Sequence, residues 1–126
     1  MITVGLVPID PGHPDARRCL TAYVEELNRL FEAGFDPSRS ISAAVEEMRP
    51  PSGLFLIARI QGEAVGCGAL KFHGDGPAEL KRMWVGDAVR GLGIGRQLLS
   101  ELEVQAAAHG VRVLHLETNG TLVAAI

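Results

Sequence analysis

Cysteine is scarce in this chain: Cys19 and Cys67 are the only two, far apart in the sequence. They supply neither a disulfide framework nor a zinc motif. Cys67, within "VGCGAL", reads as a small buried hydrophobe, with no base or helix start beside it to make a reactive thiolate. The four histidines, at 13, 73, 109 and 115, have no ligand spacing, so no metal site is expected. Excess basic charge is missing too. A net charge of −3 argues against a nucleic-acid surface, which needs a basic face. No apolar run approaches the roughly twenty residues that span a bilayer. The opening "MITVGLVPID" lacks a basic segment ahead of a long apolar stretch, so no signal peptide is expected and the chain reads as soluble and cytoplasmic. Repeats and low-complexity segments are also lacking.

What remains is ordinary globular composition, 47% hydrophobic and 21% charged over 126 residues, enough for a single domain, 1–126, with one core. "ITVGLVPI" alternates and predicts a first strand over 2–9. Asp15 is placed as the N-cap of a helix from about Ala16 to Ala33, with Cys19, Leu20, Tyr23, Leu27 and Leu30 on its apolar stripe and Gly34 ending it. Ser40 caps a short second helix that buries Ile41, Ala44, Val45 and Met48 and stops at Pro50-Pro51. "GLFLIARI", "EAVGCGALKF" and "AELKRMWV" follow, separated by Gln61-Gly62 and a glycine-rich break, which predicts an antiparallel meander. A further helix carries Ile94, Leu98, Leu102 and Ala106 on one face and closes at His109-Gly110. "VRVLHLET" is the last strand. It must run parallel to the strand before that helix, because such crossovers are right-handed and parallel.

The stretch "VGDAVRGLGIGRQLLSELE", Val85 to Glu103, holds the densest chemistry. Glycines opening a helix let the backbone come close to a ligand, and a helix start offers unpaired N–H groups that suit phosphate. A P-loop fails, since Leu92 stands where its lysine is needed. A dinucleotide fingerprint fails as well: its third small residue would be Arg96 or Leu98, although Glu117 lies near the offset of a ribose-binding acid. A ligand-free flexible turn is the bland alternative. The pattern Arg90-Gly91-Leu92-Gly93-Ile94-Gly95 resembles the acyl-CoA pyrophosphate loop, Arg/Gln-x-x-Gly-x-Gly/Ala, of the GNAT superfamily of N-acetyltransferases. The order of elements resembles that fold too. It implies an α+β chain with a mixed, mostly antiparallel sheet flanked by helices. The block 79–100 carries the specific part of the likeness.

That resemblance implies acetyl-CoA (coenzyme A) as cofactor, held where the fourth and fifth strands splay. Its pantetheine arm would bond to the backbone around Met83, Trp84 and Val85. The pyrophosphate would rest on the N–H groups of Gly91, Leu92, Gly93, Ile94, Gly95 and Arg96, with Arg90 and the Arg96 side chain adding charge. Arg96 equally fits a solvated helix residue. Asn119 matches an amide that often contacts the cofactor, and also fits an N-cap, with Thr118 its rival. The reaction implied is acetyl transfer to an amine of a small molecule or peptide, by direct attack in a ternary complex. An ammonium with a pKa near ~10 must first lose a proton, and a carboxylate is the simplest base. Glu79 is the first choice, on the strand where the family often places its base, and Glu117 the second. Glu79 also fits an exposed residue just after the Pro77 turn, and Glu117 a partner to Arg112 or a neighbouring cation. By period two, Glu79, Lys81 and Met83 would share one face of the fourth strand, and Glu117 would share a face with His115 and Val113. A backbone N–H near Met83 or Val85 would stabilise the oxyanion. Glu25, Glu26 and Glu32 would favour a cationic amine, or are surface charges.

Family members usually continue past the fifth strand with another helix, whose start carries a tyrosine acid, and two further strands. Here "NGTLVAAI" follows, and Tyr23, in the first helix, is the only tyrosine. The general acid is therefore unassigned, and the chain reads as carboxy-terminally truncated relative to the family. An uncovered last strand beside the apolar start of a helix at 121–126 predicts self-association as a homodimer, or residues beyond 126 that cover it. A non-catalytic acyl-CoA-binding or assembly module is the rival function.

Overall fold

The computed structural model describes residues 3–30, 45–74 and 76–116. Helix α1 spans Pro14–Leu30 and starts one residue before Asp15. His13, not Asp15, is its cap: the Asp15 N–H donates to His13 Nδ1 at 3.1 Å, and the Arg17 N–H to the His13 carbonyl at 2.9 Å. Pro14 then takes the first helical position, where its missing N–H costs nothing. Asp15 is left to bridge Arg18 and Arg59, the latter at 2.6 Å. The proposed end of this helix at 33–34, most of the second helix (40–44) and the segment 117–126 lie outside the described residues. Of the second helix, the described end at Glu46–Met48 is a 3-10 turn that buries Met48 as expected.

Five strands form one sheet in sequence order: β1 Val4–Pro8, β2 Gly53–Ile60, β3 Glu63–Lys71, β4 Ala78–Val85 and β5 Leu114–Leu116. The first three pairings are antiparallel and β4–β5 is parallel, as the crossover rule requires. Gln61 and Gly62, at φ +52° and +83°, make the tight β2–β3 turn. Helix α2, Ile94–Ala108, connects β4 to β5.

Alternate strand residues divide between two clusters. Leu54, Leu56, Ala58, Leu70, Leu80 and Met83 pack with Ile94, Leu98, Leu102 and Ala106 of α2. Phe55, Ile57, Cys67 and Ala69 pack with Ala16, Cys19 and Leu20 of α1 and with Met48. The sheet is thus a middle layer, which is why β2 reads as a continuous apolar run although it is antiparallel. Farther along α1, Tyr23, Val24 and Leu27 join the first cluster, and Trp84 packs against both. Each fully buried leucine or isoleucine here contributes about 1.5–3 kcal/mol.

The glycines of "VGCGAL" have a packing reason that composition alone does not reveal. A Cβ on Gly68 would lie 2.6 Å from Met83 Sδ and 2.8 Å from Leu102 Cδ1. Glycine there lets α2 settle close over β3.

Candidate active site

Strand β4 delivers the chain to the loop. The Gly86 N–H donates to the Val65 carbonyl at 2.8 Å, and a 3-10 turn at Asp87–Val89 folds the chain back. Gly91 and Gly93 follow at φ +89° and +80°, left-handed conformations that side-chain-bearing residues rarely adopt. Gly93 is the N-cap of α2 and brings no side chain to it; the first helical bond runs from the Gln97 N–H to the Gly93 carbonyl at 3.1 Å. Among the described residues, no acceptor meets the N–H groups of Gly91, Gly93, Ile94, Gly95 or Arg96. Nothing lies within 4 Å of a Cβ built at Gly91 or Gly93, so the approach is open. Ile94 is buried and anchors the helix start, while Leu92 stands exposed at the tip. A partial positive charge and N–H groups without an acceptor among the described residues mark that helix start.

The two arginines of the motif differ. Arg96 is exposed and lines an open groove of about 530 Å³ that runs along α2 beside Leu6 of β1. Arg90 is held by its neighbours: Nε donates to the Val85 carbonyl at 3.1 Å, Nη1 lies 3.1 Å from Asp87, and Nη2 bonds Glu26 of α1. Glu26, one of the acids considered for a cationic acceptor, is thereby engaged. Glu25 is exposed, and Glu32 lies outside the described residues.

Strand β4 does not keep its period. Cys67 pairs with Trp84, yet two residues on, Ala69 pairs with Lys81, so β4 carries one extra residue in a bulge at Arg82 and Met83. Arg82 takes φ +58°. The bulge corrects the period-two expectation: Met83 turns to the α2 face, beside Leu80, and away from the face of Glu79 and Lys81. Arg82 joins Lys81 on the α1 face, with its guanidinium carbon 5.6 Å from the centre of the Tyr23 ring. Its carbonyl accepts from Cys67 Sγ at 3.2 Å. Burial pushes the Cys67 thiol pKa up, which fits a packing residue rather than a nucleophile. Both Arg82 and Met83 fall out of the β3–β4 register, so this part of the backbone is set apart from the ladder.

Glu79, paired with Lys71 of β3 and His115 of β5, sits at the other end of β4. Its carboxylate is 2.5 Å from His73 Nε2 and 3.9 Å from Lys81 Nζ. The His73 hydrogen bond, ahead of the Lys81 charge, holds the Glu79 pKa below the ordinary carboxylate range. Glu79 is therefore ionised at neutral pH. His73 had shown no role in the sequence, because it lies across a turn of unpredictable geometry. Glu117 and Asn119 lie outside the described residues.

A five-stranded mixed sheet between helices, with a bulged fourth strand feeding a glycine-rich helix start, defines an α+β class with an anion-receptive loop. Residues 20–126 match the Acetyltransferase (GNAT) family, and the chain belongs to that family. It is 38% identical over 96 residues to an "IAA acetyltransferase" of Azospirillum brasilense, a match covering 75% of this chain and 63% of that relative, less than two thirds of its length. A GNAT-family acetyltransferase from Staphylococcus aureus superposes with a TM-score of 0.78 at 16% identity, covering 98% of this chain and 78% of that one. An aminoglycoside 6'-N-acetyltransferase solved with coenzyme A superposes with a TM-score of 0.69 at 25% identity, covering 90% of this chain and 61% of that one.

Proposed function

We propose that the chain binds acetyl-CoA on the 90–96 loop and transfers the acetyl group to a primary amine. The observation that carries this reading is the helix start opened by two left-handed glycines, where the N–H groups of Gly91, Gly93, Ile94, Gly95 and Arg96 meet no acceptor among the described residues. Membership of the Acetyltransferase (GNAT) family and the coenzyme A in a solved neighbour support it. The loop holds the pyrophosphate, and the backbone of Met83, Trp84 and Val85 lies next along the path of the pantetheine arm. Glu79, ionised at neutral pH, accepts the proton of the acceptor ammonium, directly or through water. The amine nitrogen then attacks the thioester carbonyl. The C–N bond forms, an N–H near Met83 or Val85 stabilises the oxyanion, and the C–S bond breaks to release the coenzyme A thiolate, which takes up a proton. Glu117 is the second candidate base, and Asn119 a further cofactor contact.

Release of coenzyme A thiol, followed with a panel of amines, tests the proposal. Amine-dependent thiol release with one acetylated product per thiol is the expected result. Acetyl-CoA binding without transfer to any amine would favour a non-catalytic acyl-CoA-binding module instead.

A further inference from the structure

The bulge gathers positive charge on one face of β4. In a regular strand Lys81 and Arg82 would point to opposite faces. Here Arg82, at φ +58°, turns to the α1 face beside Lys81. Lys71, the β3 partner of Glu79, and His73 complete the group, and its acids among the described residues are Glu47 and Glu79. Lys71 is neutralised by Glu47 at 2.8 Å, and the Glu79 carboxylate is bonded to His73. That leaves Lys81 with a weak partner. Its side chain is only 20% exposed, yet among the described residues its one ion pair is Glu79 at 3.9 Å, beyond hydrogen-bond distance. A lysine so little exposed, whose nearest carboxylate is beyond hydrogen-bond distance, can take an anion beside it.

The position of these cations matters. Along β4 they fall between Glu79 and the segment Met83–Val85, two points about 13 Å apart by strand rise. An acceptor presented to both the base and the thioester must pass Lys81 and Arg82. A simple ammonium would add a further positive charge there, whereas an amine that also bears a carboxylate supplies Lys81 with a closer counter-ion. Nearby cations also lower the pKa of a bound ammonium, which eases its deprotonation.

We infer that the acceptor is an amino acid or a similar amine that carries a carboxylate, with Lys81 binding that carboxylate. This rests on the acetyl-transfer reading above and sets its substrate class. It replaces the cationic acceptor suggested by the acids of the first helix.

Matched sets test it: leucine, phenylalanine, methionine and glutamate, each with its primary amide and its decarboxylated amine, assayed on the full chain at saturating acetyl-CoA. The acids are expected to exceed their amides and amines in kcat/KM by about tenfold or more, the scale of one charged hydrogen bond. Lys81→Met should move the acid-to-amide ratio towards one, and Lys81→Arg should keep it. Amides or amines turned over as well as the acids overturn the inference, as does a Lys81→Met variant that keeps the preference. Calorimetry with acetyl-CoA separates the two readings. Failure to bind it defeats the cofactor assignment, whereas binding with amides or amines acetylated and no acid acetylated defeats the acceptor inference alone.

Discussion

The guanidinium of Arg90 is hydrogen-bonded to the carboxylate of Glu26, 64 residues away in sequence, so the loop before α2 is tied to α1. The same guanidinium donates to the Val85 carbonyl at the end of β4. Arg90 thus orients the loop as well as adding charge to it. Both side chains retain solvent contact, at 49% and 24% exposure, so the pair is worth about 1 kcal/mol or less. Glu26→Gln should therefore weaken acetyl-CoA binding a few-fold, and Arg90→Ala should weaken it more, because it also removes the Val85 contact. Equal affinity for wild type and both variants would show that the tie has no bearing on the site.

Two glycines outside the loop should respond unequally to alanine. At Gly53 a Cβ would run into the backbone carbonyls of Glu47 and Leu70, which cannot swing away. At Gly68 it would meet the ends of the Met83 and Leu102 side chains, which can. Gly53→Ala should cost at least the about 1–3 kcal/mol typical of overpacking, and Gly68→Ala should fall at or below the lower end. Denaturant unfolding of the two variants measures the order, and a reversed order would contradict this packing.

Glu79 sets a pH signature. Because its folded pKa lies below the ordinary value, its bond to His73 adds stability above the unfolded carboxylate pKa, near ~4.3. That contribution is lost as pH falls through the lower folded value. Glu79→Gln should therefore lower the melting temperature at neutral pH, and the gap to wild type should close in acid. In kinetics the variant should reduce kcat by about 10²–10⁴-fold with little change in acetyl-CoA affinity. Since Glu79 is already ionised at pH 7, a rate limb near neutrality should survive in the variant. An unaltered rate would move the base to Glu117.

Some of this was legible from residue order. Ile94, Leu98, Leu102 and Ala106 are buried on α2 as their spacing predicts, and the meander and the parallel last strand follow from turn chemistry and crossover handedness. The loop glycines announce their left-handed geometry because few other residues tolerate it. The bulge at Arg82 left no such mark. A single inserted residue breaks the period of two without a glycine or proline to flag it, so Met83 lies on the face opposite to the one that period predicts. The cap on α1 is hidden for a related reason: histidine seldom caps, and Asp15 offers a stronger local signal. The Arg90–Glu26 and His73–Glu79 contacts arise from the fold, and spacing carries no trace of them.

Calorimetric titration of acetyl-CoA into the wild-type chain and Gly93→Val tests the central claim most directly. Valine at φ +80° is strained and also covers the open approach to the loop N–H groups. The expected result is saturable one-to-one binding by the wild type and none detectable in a Gly93→Val variant that still melts cooperatively. Equal affinity in the two proteins, or no binding by the wild type, would contradict the account.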